Sequence, residues 1–270
     1  VFDEVFDQVP TLQFVGICRA ALNHVDVEMA TQHGVVVVNT PGRNTQAVAE
    51  HALALVLSLA RRVPEAHRYL TEGRWENPIE PYVSMRGVEL SGRTLGIVGL
   101  GNVGRRLARM ALAIGMRVVA YDPYVSEPSR DVALINLDAL MRQSDFISVH
   151  VPNTPETTDM ITSEHISSMK PTSYIVSLSN TATIDQLALV AALHEHRIAG
   201  AALDVFDTHP IAPDSPYFGL DDVVLTPHIG GATKETIDRH SEMMVDDILR
   251  FLNGERPINL VNPEVWNRAE

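Results

Sequence analysis

The chain has 270 residues, 45% of them hydrophobic and 20% charged, enough to bury a core in one or two domains without covalent staples. Acidic side chains outnumber basic ones, 34 to 21, for a formal net charge of -13, a field that disfavours nucleic acid and anionic membranes as partners. The lone cysteine, Cys18, excludes an internal disulfide and a thiolate metal cluster and fits a reducing, cytoplasmic setting; no apolar run approaches the ~18 residues of a membrane span.

The first group of elements reads as LQFVGI, a strand, then VDVEMATQHG, of helical period and closed by Gly34, then a second strand, VVVVN. After the turn-forming PGRN a long helix is expected from about Gln46 to Arg61. From Leu95 onward, short runs rich in Val and Ile alternate with helical segments: LGIVGL, NVGRRLARMALAIG, MRVVAYD, then FISVHVP, YIVSLS, GAALDVF and DVVLTPH. Strands buried on both faces read as continuous apolar runs, so this is the pattern of repeated β-α-β units in a doubly wound parallel α/β sheet. Arg105, Arg106 and Arg109 fall on one such helix and read as its solvated face. The tail is helical from about Lys234 to Leu252, ends at Gly254, and runs on into PINLVNPEV, expected to be extended. A larger domain over 46–233 and a smaller one built from 1–45 with 234–270 follow from this order.

GIVGLGNVG places Gly99, Gly101 and Gly104 directly after a predicted strand and at the start of a helix. The glycines allow a tight turn, close approach of backbone to a pyrophosphate and close helix packing, while free amides at the helix N-terminus take the negative charge. Asp122 ends the next strand, 18 residues after Gly104, near the ~20-residue spacing of a carboxylate that holds a ribose diol. Pro123 and Tyr124 follow, and the next Arg is Arg130, so a 2'-phosphate would meet an acid without a cation: NAD is favoured over NADP.

SGRTLGIVGLGNVGRRLARMALAIGMRVVAYDPY, SVHVPNTPETTDMI, IAGAALDVF and VVLTPHIGGAT together resemble the D-isomer-specific 2-hydroxyacid dehydrogenases, the group that includes phosphoglycerate, glycerate and D-lactate dehydrogenases. VDVEMATQHGVVVVNTPGRNTQAVAEHALALVL is similar to that family's interdomain segment. The likeness implies a Rossmann cofactor domain and a smaller flavodoxin-like substrate domain. By comparison with the size of that family's N-terminal lobe, it also implies that the usual first strands of the smaller domain, roughly 40–50 residues, are absent from this chain, and the opening VFDEVFDQVP without an initiating Met fits a missing N-terminal segment. The family usually pairs through the cofactor domain, and TEGRWENP resembles part of that interface, so a homodimer is expected.

Carried over by position, the resemblance puts Gly99, Gly101, Asn102, Val103 and Gly104 on the pyrophosphate and Asp122 on the adenosine ribose. Val151, Pro152, Thr157, Leu178, Ser179 and Asn180 would line the cofactor, with Gly230 and Gly231 beside His228, and Asp204 on the nicotinamide carboxamide. Ala20, Ala21 and Leu22 match the loop whose amides hold a substrate carboxylate, with alanines where the family usually has glycines, which narrows the room for a substrate.

The catalytic set departs from the family's pattern. In VSLSNTATID, Asn180 stands where the family's Arg binds the 2-oxo acid, and in DVFDTHP, His209 stands where its Glu pairs with the catalytic His. His228, in TPHIGG, is retained. His228 suits general acid/base work at the hydroxyl. A second imidazole beside it disfavours double protonation, where a carboxylate would favour a charged ring. An amide at 180 offers neutral donors in place of a charged fork, at a cost on the order of 2–5 kcal/mol, so Arg19 or Arg43 supplies charge or the substrate differs from a simple 2-oxo acid. Two plain alternatives stand beside these readings: Asn180 capping the helix that begins near Asp185 or satisfying backbone groups, and His209 as a solvated histidine of the THPIAPDSP loop. His194 and His196, two apart on a helix, do not share a face, so no metal site is expected there. An NAD-dependent oxidoreductase with a non-standard site and an NAD(H)-binding sensor that has lost turnover both fit these features.

Overall fold

The computed structural model describes residues 3–266. Along the chain run α1 (Asp3–Gln8), β1 (Phe14–Ile17), α2 (Val27–Gln32), β2 (Val36–Asn39), α3 (Thr45–Ala60), α4 (Val63–Thr71) and α5 (Glu80–Ser84). They are followed by β3 (Thr94–Val98), α6 (Asn102–Ala113), β4 (Arg117–Tyr121), β5 (Val132–Leu134), α7 (Leu137–Gln143), β6 (Phe146–Val149), α8 (Ser163–Ser167) and β7 (Tyr174–Asn180). A 3-10 turn, Thr181–Thr183, leads into α9 (Gln186–His194), β8 (Gly200–Val205), β9 (Val223–Leu225), α10 (Lys234–Leu252) and α11 (Pro263–Trp266). The chain forms two compact units, Val1–Asn44 with Ala232–Glu270, and Thr45–Gly231.

The larger unit is a Rossmann-type α/β domain: seven parallel strands in the order β5-β4-β3-β6-β7-β8-β9. The period-2 alternation of β3 divides its side chains between the two faces. Leu95 and Ile97 join a buried cluster with Leu55 and Leu59 of α3 and Leu107 of α6. Val98 joins a second cluster with Leu140 of α7 and Leu189 of α9, and Gly96 leaves room there for Leu140. In α6 the buried Gly104, Leu107, Ala108 and Ala111 recur at helical spacing, which is why this segment packs as one stripe. Arg106 of that helix reaches Gln46 of α3, and Arg109 Nε donates to the Arg105 carbonyl at 3.4 Å.

The smaller unit holds β1 and β2, paired in parallel from Phe14↔Val36 to Ile17↔Asn39. Asp26 caps α2 by accepting from the Met29 amide at 2.9 Å. The tail is tied down by two buried polar side chains. Asp247 of α10, fully buried, accepts from the amides of Ile258 at 2.6 Å and Asn259 at 3.3 Å, which turns the chain back after Gly254. Asn262 accepts from Val37 N at 2.8 Å and donates to Val35 O at 2.9 Å and Thr31 Oγ1 at 3.0 Å.

Three local expectations are corrected. PINLVNPEV is extended only as far as the antiparallel bridge of Leu260 to Val38; from Pro263 it is α11, since proline suits a first helical position that needs no donor. His194 ends α9, while His196 lies beyond it at φ 51°, so the two do not share a helix. Asp185, not Asn180, caps α9, through a 3.0 Å bond from the Ala188 amide. Among the described residues no helix is long and apolar enough to cross a membrane.

Replacing Asn262 by Ala leaves the buried Val37 amide and Val35 carbonyl without their partner. The expected loss is about 1–3 kcal/mol of unfolding free energy, read from urea melts; an unchanged midpoint would contradict this account of the tail.

Candidate active site

In the order β5-β4-β3-β6-β7-β8-β9 the chain reverses direction of winding at β3, and the turns leaving β3 and β6 part there. Gly99 sits at φ +94° with its amide on Tyr121 O at 2.9 Å, and a Cβ there would lie 3.0 Å from Val151 Cγ1. At Gly104 a Cβ would lie 2.2 Å from Gly99 O, so only glycine lets α6 approach β3 this closely. At Gly101 a Cβ would meet nothing within 4 Å: that position faces open space. Asn102 and Val103 begin α6, where the first amides lack intrahelical partners and no acid occupies the first turn.

A groove of about 340 Å³ opens at this point, lined among others by Gly101, Tyr121, Asp122, Val151, Pro152 and Thr157. Asp122 is fixed by the amides of Leu100 (2.8 Å) and Tyr124 (2.9 Å), which aims its carboxylate along the glycine turn. Thr157 Oγ1 donates to Pro152 O at 2.5 Å and accepts from Thr154 N at 2.8 Å, holding the opposite wall. The open side at Gly101, the unsatisfied helix amides and the aligned carboxylate fit the pyrophosphate and ribose of a dinucleotide.

Farther along the same edge, Asp204 is the last residue but one of β8, 1% exposed. Its Oδ1 accepts from Thr226 Oγ1 (2.5 Å) and Ile229 N (2.9 Å), and its Oδ2 accepts from Gly230 N (2.9 Å). A Cβ on Gly230 would lie 2.9 Å from Oδ2 and 3.3 Å from a methyl of Leu178, so glycine is needed for this clamp, and Gly231 then leads out of the unit. Inside the clamped turn His228 adopts φ 56°, its amide on Asp204 O at 2.8 Å and Thr226 O at 3.0 Å. Its ring is exposed, and Nδ1 lies 3.1 Å from Nε2 of His209, with ring centroids 5.0 Å apart. His209 is thus paired with His228, and His228 Nε2 is left for other work.

Asn180 stands at the end of β7, after a register shift between Ser177 and Asn180 in the pairing with β8. Leu178 and Ser179 occupy the irregular stretch, Ser179 Oγ donating to Val149 O at 3.3 Å. The amide of Asn180 is largely spent on backbone: Oδ1 accepts from Ala182 N at 2.8 Å, capping the 3-10 turn, and Nδ2 donates to Phe206 O at 3.2 Å. One N–H of Nδ2 is left over.

In the smaller unit the exposed Ala20 and Ala21 donate their amides to no other group among the described residues, while Leu22 is half-buried against the local core. Thr40 N on Arg19 O (3.1 Å) and Asn39 Nδ2 on Ala20 O (2.9 Å) hold this loop to the end of β2. Arg19 meets His24 at 2.8 Å, and Arg43 meets His240 at 3.2 Å.

The model of the D-isomer specific 2-hydroxyacid dehydrogenase NAD binding domain matches residues 53–230. The chain belongs to the D-isomer specific 2-hydroxyacid dehydrogenase family. It is 44% identical to a glyoxylate reductase of Korarchaeum cryptofilum over 97% of this chain and 80% of that one. It is 39% identical to a D-3-phosphoglycerate dehydrogenase of Archaeoglobus fulgidus over 96% of this chain and 49% of that one. The structure of D-lactate dehydrogenase with NAD+ from Lactobacillus jensenii superposes with a TM-score of 0.86 at 26% identity, covering 97% of this chain and 83% of that one. As a member of this dehydrogenase family the chain is an enzyme of the D-2-hydroxyacid dehydrogenase type with NAD as cofactor.

Two histidines at this dehydrogenase site escape the motif reading. His51, in α3, reaches Thr226 and Asp204, and nothing in its local sequence distinguishes it from a helix surface residue. His150 follows β6 in HVP and lines the groove with Nε2 on Ser148 Oγ at 2.8 Å; a histidine directly after a buried strand is the available signal. Burial pushes the His150 imidazole down from 6.5 to about 4, so it is neutral wherever the cofactor binds. Between those two values the unfolded chain binds a proton that the native state refuses, so stability falls as pH drops from 6.5 to about 4. His150→Gln is expected to flatten that limb by up to ~3 kcal/mol in urea melts run across this range; an unchanged slope would sink the assignment.

Proposed function

We propose that the chain is an NAD-dependent oxidoreductase acting on the CH–OH of a 2-hydroxy acid, or reducing a 2-oxo acid, through a histidine pair in place of a histidine–carboxylate dyad. The observation that carries this reading is the 3.1 Å contact of His228 Nδ1 with His209 Nε2, which leaves His228 Nε2 free for a substrate oxygen. The larger unit is assigned to the cofactor, the smaller to the substrate through Ala20, Ala21 and Leu22, with Arg19 or Arg43 as the source of positive charge.

NAD, when bound, takes up or gives the hydride of the substrate carbon. The protein's residues handle the proton. A carboxylate beside Nδ1 only accepts, which fixes one tautomer; an imidazole can accept or donate. With Nδ1–H donated to His209, Nε2 of His228 carries a lone pair and takes the hydroxyl proton during oxidation. Reduction runs the same step backwards: the pair starts with one extra proton, Nδ1–H still directed at His209, and Nε2–H passes to the ketone oxygen, which leaves both rings neutral. In either direction one proton bridges the rings, and the positive charge of the protonated pair, formed in oxidation and lost in reduction, is shared by both imidazoles. Asp204 keeps one acceptor position on Oδ2 for the carboxamide of the cofactor, and the remaining N–H of Asn180 can steer a hydroxyl or ketone without neutralising a carboxylate.

A second reading, an NAD(H)-binding sensor without turnover, is favoured by one observation: the Asn180 amide is mostly committed to Ala182 and Phe206. An absorbance screen at 340 nm with NADH and 2-oxo acids of varied side chain separates the two. The enzyme reading expects turnover that falls at least ~100-fold in His228→Ala, and a gain of roughly 30-fold or more in kcat/KM for small 2-oxo acids on Asn180→Arg with His209→Glu. NADH binding with no turnover across the panel transfers the assignment to the sensor.

We also infer a homodimer through the larger unit. Leu70, Trp75, Ile79, Tyr82 and Val83, on and between α4 and α5, are all more than half exposed. Apolar side chains gathered in this way mark an association surface. Analytical ultracentrifugation should give a dimer that Trp75→Glu with Tyr82→Glu converts to monomer; a monomeric parent chain rejects the inference. The exposed, unbonded Cys18 suits a reducing, cytoplasmic setting, which cell fractionation checks.

A further inference from the structure

His51 is a titratable side chain beside the site that plays no part in the reading above. It lies in the second turn of α3, and its side chain is 19% exposed. Its Nε2 is 3.2 Å from Thr226 Oγ1 and 3.5 Å from Asp204 Oδ1. Thr226 Oγ1 is in turn 2.5 Å from the same Asp204 oxygen.

These distances fix who donates. A hydroxyl has one proton, and the short contact assigns that of Thr226 to the buried carboxylate. Thr226 Oγ1 can then only accept from His51, so Nε2 of His51 carries a hydrogen, directed at the hydroxyl and, less closely, at the carboxylate. Asp204 Oδ1 is thereby filled by Thr226, Ile229 N and the His51 edge, whereas Oδ2 has Gly230 N alone. The packing agrees: a Cβ on Gly230 would lie 3.5 Å from His51 Cδ2, so the imidazole sits against the glycine of the clamped turn.

We propose that His51 is a positioning residue: its Nε2–H anchors the Thr226–Asp204 pair to α3, sets which carboxylate oxygen remains open toward the nicotinamide, and holds the turn that carries His228. This rests on the assignment of Asp204 to the cofactor and His228 to the proton. The effect reaches His228 through two paths that leave Asp204, one through its side chain to Ile229 N and Gly230 N, the other through its carbonyl to the His228 amide.

The test uses His51→Leu, His51→Asn and His51→Gln in the full chain, with NADH affinity by fluorescence and the His228 ring resonances by NMR as readouts. A glutamine amide reaches the place of Nε2, an asparagine amide only that of Nδ1. His51→Leu and His51→Asn are expected to weaken NADH binding about tenfold and to displace the His228 resonances. His51→Gln is expected to restore both to within about threefold of the parent. Parental affinity and unmoved His228 resonances in all three variants overturn the proposal, as does equal weakening in all three, which would make His51 a packing residue. Failure of the enzyme reading shows separately, as NADH binding without turnover in the parent chain.

Discussion

The backbone of α6 meets β3 at Gly104 with no space for a single extra carbon, and the site inherits its geometry from that contact. With a Cβ at 104 placed 2.2 Å from the Gly99 carbonyl, any other residue would push the helix outward and carry Asn102 and Val103 away from the turn. Held close, the helix directs its unsatisfied amides at the point where the strand order reverses, and the carboxylate of Asp122 is fixed there by Leu100 N. Cofactor recognition is thus a by-product of packing: the same small residues that let helix and strand touch leave the open side at Gly101.

The chemistry at the other end of the sheet edge is short of charge. An arginine at 180 would bring a permanent cation and a planar fork, and a glutamate at 209 a permanent anion; Asn180 and His209 bring neither. What replaces them is directional. The amide of Asn180 braces the bulged end of β7 against Phe206, and the imidazole pair leaves the proton between the rings free to sit on either side. Asp204, a formal charge buried at this edge, is enclosed by donors, so its influence is exerted through the shape of the 226–230 turn more than through its field.

The sheet was legible because strands buried on both faces are written as unbroken apolar runs, and the glycine turn because Gly99 and Gly104 stand where backbone and neighbouring side chains approach closely while Gly101 leaves the turn open. The three residues of β5 were not legible: a strand that short has no periodicity to show. Neither was the end of the tail, where Asn262 rather than an apolar pattern decides the path of the chain. In the site, alignment of the two loops made His209 a candidate neighbour of His228 and left a solvated histidine equally open, and Asn180 was open to satisfying backbone groups in several ways, of which the register shift of β7 selects one. His51 was hidden for a related reason. A histidine on an amphipathic helix carries no mark of the carboxylate it will meet 153 residues later in the chain.

Arg19 and Arg43 each rest on a histidine, and neither has an acidic partner among the described residues. An imidazole braces a guanidinium without cancelling its charge. In a protein whose total is -13, two such uncancelled cations stand against the sign of the long-range field. Dissolved salt thins the long-range field beyond a Debye length of about 8–10 Å and leaves the contact of each guanidinium with its imidazole largely untouched, so the two scales of charge respond differently to ionic strength.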